Sequence, residues 1–150
     1  MIVFHYKKEL SRISGKFILR PVAEVYLKAK SGNWIKFNPY IDSGADVTLI
    51  PLSLGKLLGL EIDKNKIEEI GGIRGSVPVI YTKAALRIGE NEMQAQVAWA
   101  LIEEVPPLLG RTDIFDVFKV TFDQIKGVIT FEEAVEGEVV EESGEDKKKD

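Results

Sequence analysis

The sequence predicts an all-β, barrel-like fold in a single domain. Many short runs of β-branched and aromatic residues are separated at regular intervals by turns rich in Gly, Pro and Asn, and only two brief stretches read as helices. No repeat of fixed period and no alternation of strands with long helices argues for a βαβ sheet.

The elements follow in order. After a polar N-terminal stretch, Phe17 to Ala29 is rich in β-formers, with Pro21 expected at an edge, a bulge or a strand start. Lys30-Ser31-Gly32-Asn33 reads as a hairpin turn, and Trp34 to Phe37 returns as a strand. Beyond the break at Asn38-Pro39, Tyr40-Ile41 resumes and delivers Asp42 where strand becomes loop. Val47 to Ile50 is a further strand that Pro51 stops; Ser53 is expected to cap a short helix over residues 54–58, weakened by Gly55 and ended at Gly59. Residues 67–70 and 77–88 form two strand-like arms around Gly71-Gly72-Ile73-Arg74-Gly75, a long hairpin with a glycine-rich tip. A turn at residues 89–92 leads into Met93 to Ile102, and Val105-Pro106-Pro107 stiffens the approach to Leu108-Leu109-Gly110-Arg111. Thr112 is expected to cap a second short helix carrying Ile114, Phe115, Val117 and Phe118, with Asp113 and Asp116 serving capping and solvation. Strands over 119–123 and 127–131 close the domain, 1–131. Trp34 and Trp99 are expected in the core or lining a pocket, and His5 on the surface.

Composition narrows the function. The formal charge of −4 is uneven: residues 132–150 hold nine acidic and three basic side chains, so the remainder carries +2. The 132–150 stretch reads as a solvated, disordered acidic tail. The nearly neutral body lacks a long basic cluster interleaved with aromatics, which argues against nucleic acid as a partner. No apolar run is long enough to span a bilayer and no secretory signal opens the chain, so the expected setting is cytoplasmic with no membrane partner. With no cysteine and one histidine, disulfides, thiolate metal sites and cysteine nucleophiles are excluded, and a Ser-His-Asp or zinc centre has little to draw on.

Asp42 opens the turn Asp42-Ser43-Gly44-Ala45-Asp46: a carboxylate, a hydroxyl that can lock the turn, and a glycine that permits close backbone approach or positive φ. An Asx-turn alone would also explain Asp before Ser-Gly. Three motifs in order carry a more specific reading. Ile41-Asp42-Ser43-Gly44-Ala45-Asp46, then Ile70-Gly71-Gly72-Ile73-Arg74-Gly75, then Leu108-Leu109-Gly110-Arg111 resemble the catalytic loop, flap tip and bracing segment of the retropepsin-like (retroviral-type) aspartic proteases. The resemblance implies a closed retropepsin-like barrel with a flap hairpin and one or two short helices. It also implies an aspartic endopeptidase needing no metal and no cofactor, acting on a peptide or protein substrate. Asp42 would be catalytic. Leu109 and Gly110 would brace its loop, Arg111 would pair with Asp46, and residues 70–75 would cover the substrate.

Peptide hydrolysis by this chemistry takes two carboxylates sharing one proton, and the chain offers one such loop. The resemblance therefore implies a homodimer in which each subunit contributes its Asp42 and Ser43 joins the two loops. The alternative is a catalytically silent peptide-binding or dimerisation module of the same fold. Two departures from the retroviral pattern are visible: a longer flap region, 66–88, and a chain that continues past the second helix through two strands and the tail.

Overall fold

The computed structural model describes residues 1–72 and 75–134. Its central feature is a strand broken in the middle. β4 (Val25–Lys28) pairs antiparallel with β5 (Trp34–Phe37), and the bridge from Val22 to Tyr40 keeps the same register across the interruption at Asn38-Pro39. The short β6 (Tyr40–Ile41) is therefore the continuation of β5, broken because proline supplies no ladder N–H. Backbone bonds from Ala23 N–H to the Pro39 carbonyl (3.3 Å) and from Ile41 N–H to the Pro21 carbonyl (2.9 Å) hold it.

That continuation closes the barrel. From β4 the sheet runs through β9 (Gly75–Ile88), β10 (Asn91–Ala100), β7 (Thr48–Ile50) and β11 (Leu108–Leu109) to β6, which returns to the segment before β4. β8 (Glu68–Gly72) pairs with the first residues of β9, so the front half of that 14-residue strand stands out as a hairpin while the back half forms the wall. A second sheet, in the order β1 (Ile2–His5), β13 (Val128–Glu133), β12 (Phe118–Asp123), packs against the barrel. It joins through Ile129, Phe131 and Phe118; Phe131 meets Phe4 and Phe118 edge-on at centroid separations of 5.8 and 5.6 Å. β2 (Lys7–Leu10) and β3 (Phe17–Arg20) form a separate two-stranded hairpin.

The closed all-β barrel agrees with the sequence reading, and three local expectations are corrected. The N-terminal stretch is not polar coil: Ile2, Phe4 and Tyr6 turn inward against the core at a period of two, which makes β1. The one α-helix among the described residues, α1 (Leu52–Leu57), has no side-chain cap; Ser53 instead binds Glu103 through its N–H (2.8 Å) and hydroxyl (2.7 Å). The expected second helix is a run of turns, because Asp113 takes φ 73°, outside the helical region, and its carboxylate accepts the Gln96 N–H (2.8 Å). Ile114 and Phe118 are nevertheless buried, as the apolar pattern requires.

Gly55 has a reason beyond conformational freedom. A Cβ there would stand 2.0 Å from Nε1 of the buried Trp99, whose indole N–H donates to the Leu52 carbonyl (3.1 Å). The roughly 1 kcal/mol that glycine costs a helix interior is offset by seating this indole against α1. Trp34, by contrast, is half-buried on the barrel exterior, with the Arg87 guanidinium 4.5 Å from its ring centroid. His5 is exposed. β13 runs to Glu133, two residues past Phe131, while 135–150 of the acidic tail lie outside the described residues. Among the described residues no helix is long and apolar enough to cross a membrane.

Candidate active site

The Asp42 loop is shaped by a strand threaded between its own two ends. β11 pairs parallel with β6, which enters the loop, and antiparallel with β7, which leaves it. The loop must therefore wrap around the end of β11, and backbone bonds fix it there. Asp42 N–H donates to the Leu109 carbonyl (3.0 Å), Arg111 N–H to the Ala45 carbonyl (2.9 Å) and Thr112 N–H to the Asp46 carbonyl (2.8 Å).

One buried side chain completes the clamp. Thr48 is fully buried, and its Oγ1 accepts the Gly110 N–H at 3.2 Å. A hydroxyl there satisfies a donor that would otherwise be stranded. Gly110 is required by space: an added Cβ would lie 2.4 Å from both the carbonyl carbon and oxygen of Val47. Leu109, the residue before it, is fully buried.

Asp42 is half-buried, and its Oδ1 accepts the Gly44 N–H at 2.9 Å, an Asx-type turn that orients the carboxylate. Gly44 does not use positive φ; a Cβ on it would stand 3.3 Å from Oδ1, so close approach is what glycine provides. Ser43 is exposed at the loop apex and Ala45 is half-buried. Arg111 reaches back from the far side: one guanidinium nitrogen donates to the Ser43 carbonyl (2.7 Å) and the other pairs with Asp46 Oδ1. The pair is exposed and modest in energy, but a planar fork that grips two points of a five-residue loop limits its motion.

The carboxylate opens onto a groove of about 440 Å³ lined by Glu9, Arg20, Pro21, Tyr40, Pro106 and Leu108 beside Ile41 and Asp42. Sequence reasoning missed Glu9 and Arg20, because the β2–β3 hairpin that brings them here is remote in sequence. The Tyr40 hydroxyl donates to Glu9 (2.8 Å to Oε2), and Arg20 Nε lies 3.2 Å from Glu9 Oε1. Burial, then the hydrogen bond to Glu9 and its charge, raise the Tyr40 pKa above the ordinary tyrosine value, with Arg20 opposing. Glu9 is thus engaged by Tyr40, Arg20 and Lys7, and Asp42 is the groove's other carboxylate.

The glycine-rich hairpin stands at the same end. Ile70, Gly71 and Gly72 lie on β8 and Gly75 on β9, with Gly72 opposite Gly75; Ile73 and Arg74 fall outside the described residues. At its base, Ile70 and Val77 pack on the small cluster Val79, Ala98 and Ala100 together with Val47 and Leu49, which carry the chain out of the Asp42 loop. Among the described residues no three His, Asp or Glu side chains are grouped to hold a metal ion.

No protein-family model and no curated protein matches the chain. Solved structures do. The fold is similar to the EIAV protease in complex with the inhibitor HBY-793, at 23% identity over 65% of this chain and 86% of that one, with a TM-score of 0.52. It is also similar to a retropepsin-like aspartic protease from Rickettsia conorii, at 17% identity over 84% of this chain and 98% of that one, with a TM-score of 0.56. The chain has a retropepsin-like fold.

Proposed function

We propose that the chain is an aspartic endopeptidase that acts as a homodimer, with Asp42 of each subunit supplying half of the active centre. One observation carries the reading: in a retropepsin-like fold, the Asp42 carboxylate, its Oδ1 accepting the Gly44 N–H, stands at the mouth of an open groove on a loop fixed by backbone bonds. The neighbouring Glu9 is committed to Tyr40 and Arg20, so a second working carboxylate has to come from another copy.

Two Asp42 carboxylates brought together across a two-fold axis cannot both ionise, because like charges in contact disfavour each other. They share one proton. The ionised member takes a proton from water as its oxygen attacks the peptide carbonyl carbon, and the protonated member donates to the carbonyl oxygen. In the tetrahedral intermediate the carboxyl that took the water proton donates it to the amide nitrogen while the other carboxylate takes a proton back from a hydroxyl, the C–N bond breaks, and an acid and an amine leave with the dyad restored. In such a dimer Ser43, exposed at the loop apex, bonds across the axis. The β8–β9 hairpin covers an extended peptide, offering backbone groups in strand-addition fashion.

The test is Asp42→Asn assayed on a library of unfolded peptides from acidic to neutral pH, with sedimentation to report the dimer. Cleavage is expected to fall by about 10²–10⁴-fold or more, the usual worth of acid–base catalysis, with the dimer intact. Equal cleavage by both proteins overturns the proposal. Saturable peptide binding without products from the unaltered chain favours the silent binding module instead.

A further inference from the structure

The β2–β3 hairpin has two unlike faces. Lys7, Glu9, Ile18 and Arg20 share one, paired across the strands, and it faces the groove through Glu9 and Arg20. The other carries Lys8, Leu10, Phe17 and Leu19. Leu10 is 59% exposed, Phe17 63% and Leu19 45%, and Ile13 at the tip is fully exposed. Apart from the Lys8 ammonium, 4.5 Å from the Phe17 ring centroid, and the contact of Leu19 with Gly127, this apolar sheet face is open, the kind of surface that soluble proteins cover.

Its charge indicates what covers it. Residues 7–20 hold five cations and one anion. Glu9 takes up Lys7 and Arg20, and among the described residues no salt bridge engages Lys8, Arg12 or Lys16, all exposed. The complement lies in the same chain. Residues 135–146 read Val-Glu-Gly-Glu-Val-Val-Glu-Glu-Ser-Gly-Glu-Asp, with six acidic residues, no basic one and three valines. Valines suit Leu10, Phe17 and Leu19, while the interspersed carboxylates suit Lys8, Arg12 and Lys16. The twelve residues from 135 to 146 extend to about 40 Å at roughly 3.3 Å each, enough to pass from Ala134 along the length of β13, whose Gly127 end adjoins the hairpin.

We propose that the outer face of the β2–β3 hairpin is the docking surface for the chain's own acidic segment, residues 135–146. The tethered segment acts at an effective concentration near the millimolar range, so a weak intrinsic affinity suffices. The inference does not depend on the proteolytic reading.

The absence of native cysteine makes the test direct. In the full chain, the pair Leu10→Cys and Ser143→Cys is expected to form an intramolecular disulfide about tenfold faster than a control pairing Ser143→Cys with Ile125→Cys, a site more exposed than Leu10. The advantage should vanish in 1 M salt, where the screening length is about 3 Å, and when Lys8, Arg12 and Lys16 are all changed to Glu. Equal rates for the two pairs overturn the inference. A disulfide that forms only between chains also overturns it and assigns the face to a second copy.

Discussion

Gly110→Ala offers the most direct test of the loop geometry. The new Cβ would lie 2.4 Å from the Val47 carbonyl carbon and oxygen and 2.8 Å from its nitrogen. These are backbone atoms, so no rotamer change relieves the clash; either β11 or the exit of the Asp42 loop has to move. Overpacking of this kind costs about 1–3 kcal/mol. Displacing Gly110 also stretches its N–H away from the buried Thr48 hydroxyl, adding about 1 kcal/mol. A total of about 2–4 kcal/mol corresponds to a fall in Tm of roughly 5–15 °C for a chain of this size. Thermal unfolding followed by circular dichroism measures it, with Gly71→Ala as control, since a Cβ at Gly71 meets nothing within 4 Å. A Gly110→Ala protein melting within about 2 °C of the unaltered chain would refute the claim that β11 and the loop are locked at contact distance. Under the proposed function, peptidase activity is expected to drop even below the melting temperature, because Val47 follows directly on the loop that presents Asp42.

Arg111→Lys keeps the charge but cannot span the Ser43 carbonyl and Asp46 together. Stability is expected to change by less than about 1 kcal/mol while peptide cleavage falls several-fold; unchanged cleavage would show the fork to be dispensable. Glu103 is held below the ordinary glutamate pKa, chiefly by the Ser53 hydroxyl, then by its N–H, with Lys56 adding to the effect. A lowered folded-state pKa favours the charged form, so its stabilising effect is present above the ordinary glutamate value and is lost as pH falls through the lowered one. Glu103→Gln should therefore melt below the unaltered chain at neutral pH, with the gap closing in acid; a gap independent of pH would contradict this.

The parts of the fold legible in the sequence are those where local signals and burial agree. The hairpin around Gly32, the long arms about the glycine-rich tip and the apolar run ending at Asp42 each combine period and turn chemistry. Where the reading missed, a long-range contact overrode a local preference. Ser53 is a good cap by type, yet the Glu103 carboxylate, fifty residues away, takes both its donors. Thr112 and Asp113 look like a helix start, yet Asp113 leaves the helical region to accept the Gln96 N–H across the sheet. β1 was overlooked because its charged neighbours mask an alternation of Ile2, Phe4 and Tyr6 that was present in the sequence.

The candidate site divides the same way. Motif order placed residues 41–46 and 108–111 near one another, and the structure brings them together as backbone partners around one strand end. Glu9 and Arg20 carry no motif; only the folding of β2–β3 against β6 puts them beside Asp42. Glu9 is engaged by the Tyr40 hydroxyl, Arg20 and Lys7, whereas the Asp42 carboxylate accepts only the Gly44 N–H among the described residues. Under the proposed function, the hairpin's inner face leaves Asp42 as the uncommitted carboxylate of the groove, while its outer face carries Lys8 beside Leu10, Phe17 and Leu19.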